Sequence, residues 1–311
     1  MSAIKTVAVS IGDLNGVGFE IALRAHREIS AQCRPIYCIS PVMAEQAAAL
    51  LGEHLPEDFI TYDVSGEFTI QPGTVSAQSG RYSYDSFLKA LSLALSKQVD
   101  AIVTLPIHKE AWMLADVPYV GHTDALRDLL KSEAIMMLGC EKLYVALYTE
   151  HIPLSQVPHH ITADGIFDFL IRFYASFPRS PVAVLGLNPH AGDHGVLGDE
   201  ERFIEAAIAR ANRHIGKNIF EGPIVPDIAF TSRSRERYKT IVAMYHDQGL
   251  APLKALYFDE GVNISLGLPI IRTSVDHGTA FDIAYGHKAS LLSYRNAIQA
   301  ALSLDNVVHH G

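Results

Sequence analysis

This sequence lacks several features that identify membrane proteins, secreted proteins or zinc-cluster proteins directly. Its apolar runs are far shorter than the ~18 residues that a membrane-spanning helix needs, and its first residues lack the pattern of a cleaved signal peptide. The three cysteines, Cys33, Cys38 and Cys140, form no CxxC pair, so we expect buried thiols instead of a zinc cluster. These absences predict a cytoplasmic protein that does not bind a membrane.

Positive charge is also scarce. The 25 lysines and arginines are outnumbered by 34 aspartates and glutamates, which gives a formal net charge of −9 at pH 7. No block of basic residues is present, and we therefore expect no nucleic acid as a partner. A small anionic substrate stays compatible with this composition, because it needs only a local cluster of cations.

What is present is a regular alternation of strand and helix patterns. Hydrophobic residues make up 49% of the 311-residue chain, enough for a sizeable core. Short apolar runs that stop at glycine or polar residues are typical of buried parallel strands, and they occupy 5–11, 35–40, 100–105, 142–149, 182–187 and 241–245. Helical patterns occupy 19–30, 42–51, 84–98 and 291–304, whereas 52–80 is interpreted as loops with short strands. This order predicts an α/β fold with a mainly parallel sheet.

Three histidines follow predicted strands by one to three residues. They are His151 after KLYVALYT, His190 after VAVLGL, and His246 after TIVAMY. Ligands of open α/β sheets bind at the carboxyl ends of the strands, and three neutral imidazoles meeting there would make a metal site with open positions. The alternative is that each is a loop residue or a hydrogen-bonded histidine among the 15 of the chain.

Two segments have the layout of an anion site. Residues 12–18 form a glycine loop, G-x-x-x-G-x-G, between a predicted strand and a predicted helix. Its N–H groups could face a phosphate, although a tight turn without a ligand explains the loop equally well. Thr123 precedes the helical pattern DALRDLLK, and we expect it to be the helix N-cap. Lys109 follows the strand 100–105 and is either a cation at that sheet edge or a solvated lysine that opens the next helix.

Isolated polar residues also border the apolar runs of the last third of the chain. Lys254, Asn263 and Arg272 are the clearest of them. A surface position is the default for lysine and arginine, but a guanidinium at the end of a strand also suits a phosphate or carboxylate. The segment DHGTAFD at 276–282 is interpreted as a compact polar loop that opens a helix.

Taken together, the motifs resemble the 4-hydroxythreonine-4-phosphate dehydrogenase family of pyridoxal phosphate biosynthesis. The matching strings are VGHTDAL at 120–126, EHIPL at 150–154, GLNPHAG at 186–192, MYHDQGLAPLK at 244–254 and GVNISLGLPIIRTSVDHGTA at 261–280. They occur in the family's order and cover most of the second two-thirds of the chain. The first third departs from the pattern, because Leu14 and Phe19 stand where the family's glycine loop usually has proline.

The resemblance implies roles for residues that the motifs contain. The metal ligands would be His151, His190 and His246, and the substrate contacts would be His122, Thr123, Lys254, Asn263 and Arg272. The family is a homodimer with its site at the subunit interface, so the three histidines need not come from one chain. The segment DHGTAFD is similar to the nicotinamide-cofactor loop of isocitrate and isopropylmalate dehydrogenases, which lack the G-x-G-x-x-G fingerprint. It would bind the cofactor through His277, Gly278, Thr279, Ala280 and Asp282.

The same resemblance implies the architecture. We expect a two-lobed α/β fold like that of isocitrate and isopropylmalate dehydrogenases. One lobe, on the cofactor side, would comprise 1–125 and 265–311. The other, for metal, substrate and dimerisation, would comprise 126–264.

The implied reaction is the oxidation of 4-phosphohydroxy-L-threonine by NAD or NADP, followed by decarboxylation to 3-amino-2-oxopropyl phosphate. A divalent metal (zinc, magnesium, cobalt or manganese) would assist. Asp247 and Lys109 are the candidates for proton transfer, with Asp247 alternatively orienting a metal-bound imidazole. Other readings are a dehydrogenase of threonate or erythronate 4-phosphate, a metal-dependent acyl or phosphoryl transferase on a similar fold, and a non-catalytic phosphate-binding protein.

Overall fold

The computed structural model describes residues 4–304, which divide into two compact units. The first unit contains 4–134 and 262–304, and the second contains 135–261. The lobe boundaries expected from the sequence are 125/126 and 264/265, and they stay a prediction. The assignment of the cofactor to one lobe and of metal and dimerisation to the other stays a prediction.

Each unit is built around a sheet of short strands, most of which are buried. The strands are β1 (Thr6–Ser10), β2 (Arg34–Cys38), β3 (Thr61–Tyr62), β4 (Ala101–Thr104), β5 (Ile135–Cys140), β6 (Leu143–Leu147), β7 (Val182–Leu185), β8 (Phe220–Ile224), β9 (Thr240–Ala243), β10 (Val262–Leu266) and β11 (Arg272–Val275). In the first unit their order is β3-β2-β1-β4-β11-β10, and in the second it is β5-β6-β9-β7-β8. Neighbours pair in parallel except β10 with β11 and β5 with β6. The predicted α/β fold with a mainly parallel sheet is confirmed.

Helices connect and cover the strands. They are α1 (Gly18–Ser30), α2 (Pro41–Leu51), α3 (Ala77–Leu95), α4 (Lys109–Leu114), α5 (His122–Leu130), α6 (Val157–His160), α7 (Ala163–Ser176), α8 (Glu201–Ile215), α9 (Pro226–Ala229), α10 (Ser232–Arg237), α11 (His246–Tyr257) and α12 (Leu292–Ser303). In the part of the chain that the structure describes, none of them combines the length and the apolar character required to cross a bilayer.

The core of the first unit packs helices against β1 and β4, whose residues are almost all buried. Trp112 of α4 is fully buried, and its indole N–H donates to the Ser83 hydroxyl of α3 over 2.8 Å. Gly80 lets these two helices meet, because a Cβ at that position would lie 2.0 Å from the Ala111 carbonyl oxygen. Cys33, Cys38 and Cys140 are free and buried, as the sequence predicts.

The core of the second unit is an aliphatic cluster on β6, β7, β9 and α11. Its members include Val145, Leu185, Ile241 and Leu250. Helix α11 reaches the sheet through Gly249, where a Cβ would lie only 2.6 Å from a methyl group of Val145. Two residues separate β9 from α11, and His246 is the first residue of the helix.

Three local predictions were wrong. Thr123 is not the N-cap of α5: the helix begins at His122 after an extended Gly121, and the Asp124 carboxylate accepts the Val120 N–H instead. The segment 276–282 does not open a helix, since it runs into a 3-10 turn at Phe281–Ile283, and α12 begins only at Leu292. Helix α3 begins at Ala77 instead of residue 84, because the Ser76 hydroxyl caps it by accepting the Ser79 N–H.

Candidate active site

Arg272, the first residue of β11, is a buried cation in the first unit. Its side chain is almost fully buried, and its guanidinium donates to the hydroxyls of Thr104 (2.8 Å) and Ser265 (3.1 Å). The third nitrogen, Nε, has no partner in residues 4–304. Burial lowers the pKa of Arg272 to about 10, so the group stays charged at neutral pH. A buried charge that is held only by hydroxyls is stabilised when an anion binds it.

His122 lies in the same unit as Arg272 and interacts with it electrostatically. Its ring packs against Phe87 and Trp112, with ring centroids 5.0 and 5.4 Å away. Burial, and then the positive charge of Arg272, hold the pKa of His122 well below its usual range. The imidazole is therefore neutral, and its buried Nε2 has no hydrogen-bond partner among residues 4–304. Neutrality lets it approach the guanidinium and hydrogen-bond to a ligand that also contacts Arg272.

The start of α5 adds further polar groups near His122. Thr123 is the second residue of this helix and is partly exposed, so its hydroxyl and the first backbone N–H groups lie at the positive end of the helix dipole. The aliphatic part of the Lys109 side chain lies beside Gly121, the residue before α5. A Cβ on Gly121 would be 4.0 Å from the Lys109 Cε. Lys109 itself is exposed and opens α4.

Asn263 also belongs to this region of the first unit. It stands two residues before Ser265 on β10, so both side chains point to the same face of the sheet. Ser265 is paired in register with Arg272. The Asn263 Oδ1 is buried without a partner in the described chain, as expected of a group that hydrogen-bonds to a ligand.

The loop 276–282 packs on the glycine loop 12–18. The Val17 N–H donates to the Thr279 carbonyl over 3.0 Å. Ala280 has φ 44°, a left-handed conformation, and the Phe281 ring stacks on His108 at 4.8 Å. Gly278 is exposed, and a Cβ there would meet nothing within 4 Å. The backbone around residue 278 is therefore open to a ligand.

Four N–H groups of the glycine loop are already engaged within the protein and are not available to a phosphate. The amides of Asp13, Asn15, Gly16 and Val17 all donate to acceptors within the protein. The loop is buried, and a Cβ on Gly16 would lie 2.7 Å from the Thr279 carbonyl oxygen. These contacts favour the tight-turn interpretation, in which the loop supports the segment 276–282.

In the second unit, two of the three motif histidines lie together. The ring centroids of His151 and His246 are 5.5 Å apart. The Asp247 carboxylate is 2.7 Å from the Nδ1 of His246, which leaves Nε2 as the nitrogen that can bind a metal. Gln248 connects this turn to the end of β7, since its Nε2 donates to the Gly186 carbonyl over 2.7 Å. Two imidazoles, one of them oriented by a carboxylate, are a donor set that suits zinc and related divalent metals.

His190 does not join this pair within one chain. In the part of the chain that the structure describes, no group of three or more histidine, cysteine, aspartate or glutamate side chains is close enough to hold a metal ion. His190 is exposed and lies in a turn whose residues 190–194 all have positive φ. A left-handed backbone costs an L-residue about 1–2 kcal/mol, so this turn is strained.

Lys254 is the remaining candidate of the second unit. It lies in the last turn of α11, with its ammonium 5.8 Å from the centroid of the Phe258 ring. Its role as a substrate contact stays a prediction.

Sequence reasoning missed four residues that shape these sites. Thr104 and Ser265 hold Arg272, Asp13 is a buried carboxyl of the glycine loop, and Glu201 anchors the His190 turn. Asp13 has a local signal, since an Asx turn after a glycine is common in tight loops. Thr104 lies 168 residues from Arg272, Glu201 lies 13 residues from Asn188, and Ser265 lies seven residues from Arg272. No spacing pattern marks these three.

Comparison with known proteins identifies the family. A family model described as "Pyridoxal phosphate biosynthetic protein PdxA" matches residues 31–301. The 4-hydroxythreonine-4-phosphate dehydrogenase of Sulfurimonas denitrificans is 59% identical, over 98% of this chain and 99% of its own. The crystal structure of 4-hydroxythreonine-4-phosphate dehydrogenase from Klebsiella pneumoniae is 36% identical with a TM-score of 0.81, and the match covers 97% of this chain and 98% of that one.

A more distant structure confirms the expected fold class. A β-decarboxylating dehydrogenase from Thermococcus kodakarensis has a TM-score of 0.54 at 14% identity, and the match covers 97% of this chain and 85% of that one. At this identity the similarity concerns the fold alone. The matches at 59% and 36% identity extend over nearly the whole chain, and the family model covers most of it. The chain therefore belongs to the PdxA family of pyridoxal phosphate biosynthetic proteins.

Proposed function

We propose that this protein is a 4-hydroxythreonine-4-phosphate dehydrogenase that uses NAD or NADP and a divalent metal. Carbon C3 of 4-phosphohydroxy-L-threonine would lose its hydride to the nicotinamide, and the hydroxyl on C3 would lose its proton to a protein group. The resulting β-keto acid would release CO₂, and a proton returned to C2 would give 3-amino-2-oxopropyl phosphate. The observation that carries the substrate class is the buried Arg272 guanidinium, held only by hydroxyls within residues 4–304.

The phosphate or carboxylate of the substrate would bind where Arg272 and His122 have unsatisfied nitrogens. Arg272 supplies a permanent charge, and neutral His122 supplies a hydrogen bond without repelling it. Thr123 would add its hydroxyl at the helix N-terminus, and Asn263 would contact the substrate through its buried amide. Lys254, which lies in the second unit, stays a predicted substrate contact. This set suits a doubly charged anion better than an uncharged substrate.

The metal would be held by His151 and His246 together with His190. The donor chemistry of the first two fits zinc, cobalt, manganese or magnesium in decreasing order of preference for imidazole. The metal, when bound, would polarise the oxygen on the carbon that is oxidised and stabilise the negative charge that develops during decarboxylation. Asp247 would hold His246 in the orientation that presents Nε2, as its 2.7 Å contact with Nδ1 indicates.

Lys109 is our candidate for proton transfer. Its side chain passes the N-terminus of α5, which carries His122 and Thr123, whereas Asp247 is engaged with an imidazole. A neutral lysine amine can take the proton of the hydroxyl, and the ammonium so formed can return it to C2. This assignment makes Lys109 catalytic and Asp247 a positioning residue.

The dinucleotide would bind along the loop 276–282. His277, Gly278, Thr279, Ala280 and Asp282 are the proposed contacts. The open space at Gly278 supports close approach of a ligand to the backbone, and the buried Nε2 of His277 has no partner within the described residues. The glycine loop would support this segment from behind through the Val17 hydrogen bond.

We further propose that the active form is a homodimer whose sites lie at the subunit interface. Within the described chain His190 is not grouped with the other two histidines, and the same turn exposes Val196 and Leu197, which are 77% and 46% exposed. An apolar pair beside an isolated metal-binding residue is expected of a turn that inserts into a second copy. The cytoplasm is the proposed location.

The decisive assay follows reduced nicotinamide with purified protein, NAD or NADP, and zinc or magnesium. Turnover with 4-phosphohydroxy-L-threonine, and not with threonate or erythronate 4-phosphate, supports the proposal. Turnover with the sugar-acid phosphates alone would support the same mechanism with a different substrate. Absence of reduced nicotinamide with every substrate, despite metal binding, contradicts the proposal and favours the transferase alternative.

Two variants test the assigned residues, each with a matched surface control. His246→Ala should abolish turnover and metal retention, whereas His214→Ala, an exposed histidine on α8, should change neither. Arg272→Ala should mainly weaken binding of the phosphorylated substrate, whereas Arg81→Ala should not. Full activity of His246→Ala in metal-stripped buffer would falsify the metal assignment.

A further inference from the structure

The turn that carries His190 needs support from outside itself. His190, Ala191, Gly192, Asp193 and His194 all have φ between 42° and 78°. L-residues visit this region singly, and a run of them is held only where surrounding groups over-determine the backbone. Most of the turn is exposed, so side-chain packing cannot supply that support.

The support comes from the Glu201 carboxylate, at the start of α8. This carboxylate is almost fully buried. Its Oε1 accepts the backbone N–H groups of Leu187 and Asn188 over 2.9 and 2.7 Å. Its Oε2 accepts the Asn188 side-chain amide over 2.9 Å. Glu201 therefore fixes the backbone immediately before Pro189 and His190.

The same carboxylate also lies against the far side of the turn. A Cβ on Gly192 would lie 2.6 Å from the Glu201 Oε2, and Gly198 packs equally closely on the Asn188 amide. The chain thus leaves β7 and passes the Glu201 carboxylate. It then forms the left-handed turn, in which Gly192 lies against the same carboxylate. A single carboxylate thus holds the start of the segment that presents His190 and packs against Gly192 in the middle of its turn.

We propose that Glu201 is a positioning residue that holds His190 in the orientation required to bind the metal. The inference rests on the proposed role of His190 as a ligand. Glu201 does not itself reach the metal, because both of its oxygens are engaged with residues 187 and 188. Its effect is to keep a strained turn in one conformation, so that the imidazole does not have to be ordered when metal binds.

The test measures zinc affinity of the full-length protein by competition with a chromophoric chelator. Glu201→Ala should weaken zinc binding about 10- to 100-fold, the range seen when a group that orients a ligand is removed. Glu201→Gln keeps one acceptor oxygen for the two backbone N–H groups and should retain most of the affinity. Glu205→Gln, which removes an exposed carboxylate from the same helix, should match the wild type.

A double-mutant cycle separates positioning from a general effect on folding. If Glu201 acts through His190, Glu201→Ala should weaken zinc binding in the wild-type background and have little effect in His190→Ala. Equal losses in both backgrounds would overturn the inference, as would wild-type affinity in Glu201→Ala. If Glu201→Ala does not fold, Glu201→Gln decides. A small loss that disappears in His190→Ala supports the inference, and a loss that persists there, or no loss at all, contradicts it. If His190→Ala alone binds zinc normally, the assignment of His190 as a ligand fails, a result distinct from failure of the positioning role.

Discussion

Asp13 gives the most quantitative prediction, because it is a carboxyl with no exposed surface. Burial raises its pKa from 3.8 to about 6, although hydrogen bonds from the Asn15 N–H and the Ser79 hydroxyl favour the charged form. The folded state therefore binds a proton more tightly than the unfolded state. The stability that this proton contributes is fully present below about pH 4 and is lost as the pH rises to about 6. The difference of about 2 pKa units corresponds to about 3 kcal/mol.

Asp13→Asn removes the free-energy cost of ionising a buried carboxyl, which the wild type bears at neutral and higher pH. The Asn side chain can still accept the Asn15 N–H through its oxygen, and its amide can donate to the Ser79 hydroxyl. We expect the variant to be more stable than the wild type by about 1–3 kcal/mol at pH 8, with the gain shrinking by about 2 kcal/mol at pH 4.5. Urea unfolding at both pH values measures the difference, and Asp63→Asn, at an exposed position, is the control. A gain that does not change with pH, or a loss at pH 8, would refute the reasoning.

The remaining predictions concern three other contacts. Thr104→Val removes a hydroxyl that holds Arg272, and we expect a several-fold higher KM for the phosphorylated substrate with kcat little changed; a fall in kcat alone would contradict this. Gly80→Ala forces a Cβ to within 2.0 Å of the Ala111 carbonyl oxygen, and it should lower the free energy of urea unfolding by about 1–3 kcal/mol or more. Ser40→Ala removes the N-cap of α2 and should cost about 1 kcal/mol in the same assay; unchanged stability in either variant would show that the backbone relaxes at that site.

Much of the fold could be predicted because its signals are local. The strands are short apolar runs that stop at polar residues, and this pattern located β1, β4, β6, β7 and β9. The helix boundaries were less predictable, since they depend on single hydrogen bonds. Gly121 instead of Thr123 precedes α5, and Ser76 starts α3 earlier than the apolar periodicity indicates.

The candidate site was predictable in part. The motif strings identified His122, His151, His246 and Arg272, and the structure places the first and last in one buried cluster of the first unit and the other two together in the second. The roles assigned to these residues stay predictions. The degree of burial of Arg272 could not be predicted, because an arginine between apolar runs is equally compatible with a solvated side chain.

The sequence by itself determined the fold class and the family, because alternating apolar patterns and ordered motif strings are properties of the chain alone. Only the tertiary structure decided which groups are charged, neutral or strained. The carboxyl of Asp13, the imidazole of His122 and the guanidinium of Arg272 owe their shifted pKa values to burial. Glu201 owes its place beside the His190 turn to the return of the chain from β7 to α8. Desolvation and contacts between distant residues exist only once the chain has folded, and no local pattern encodes them.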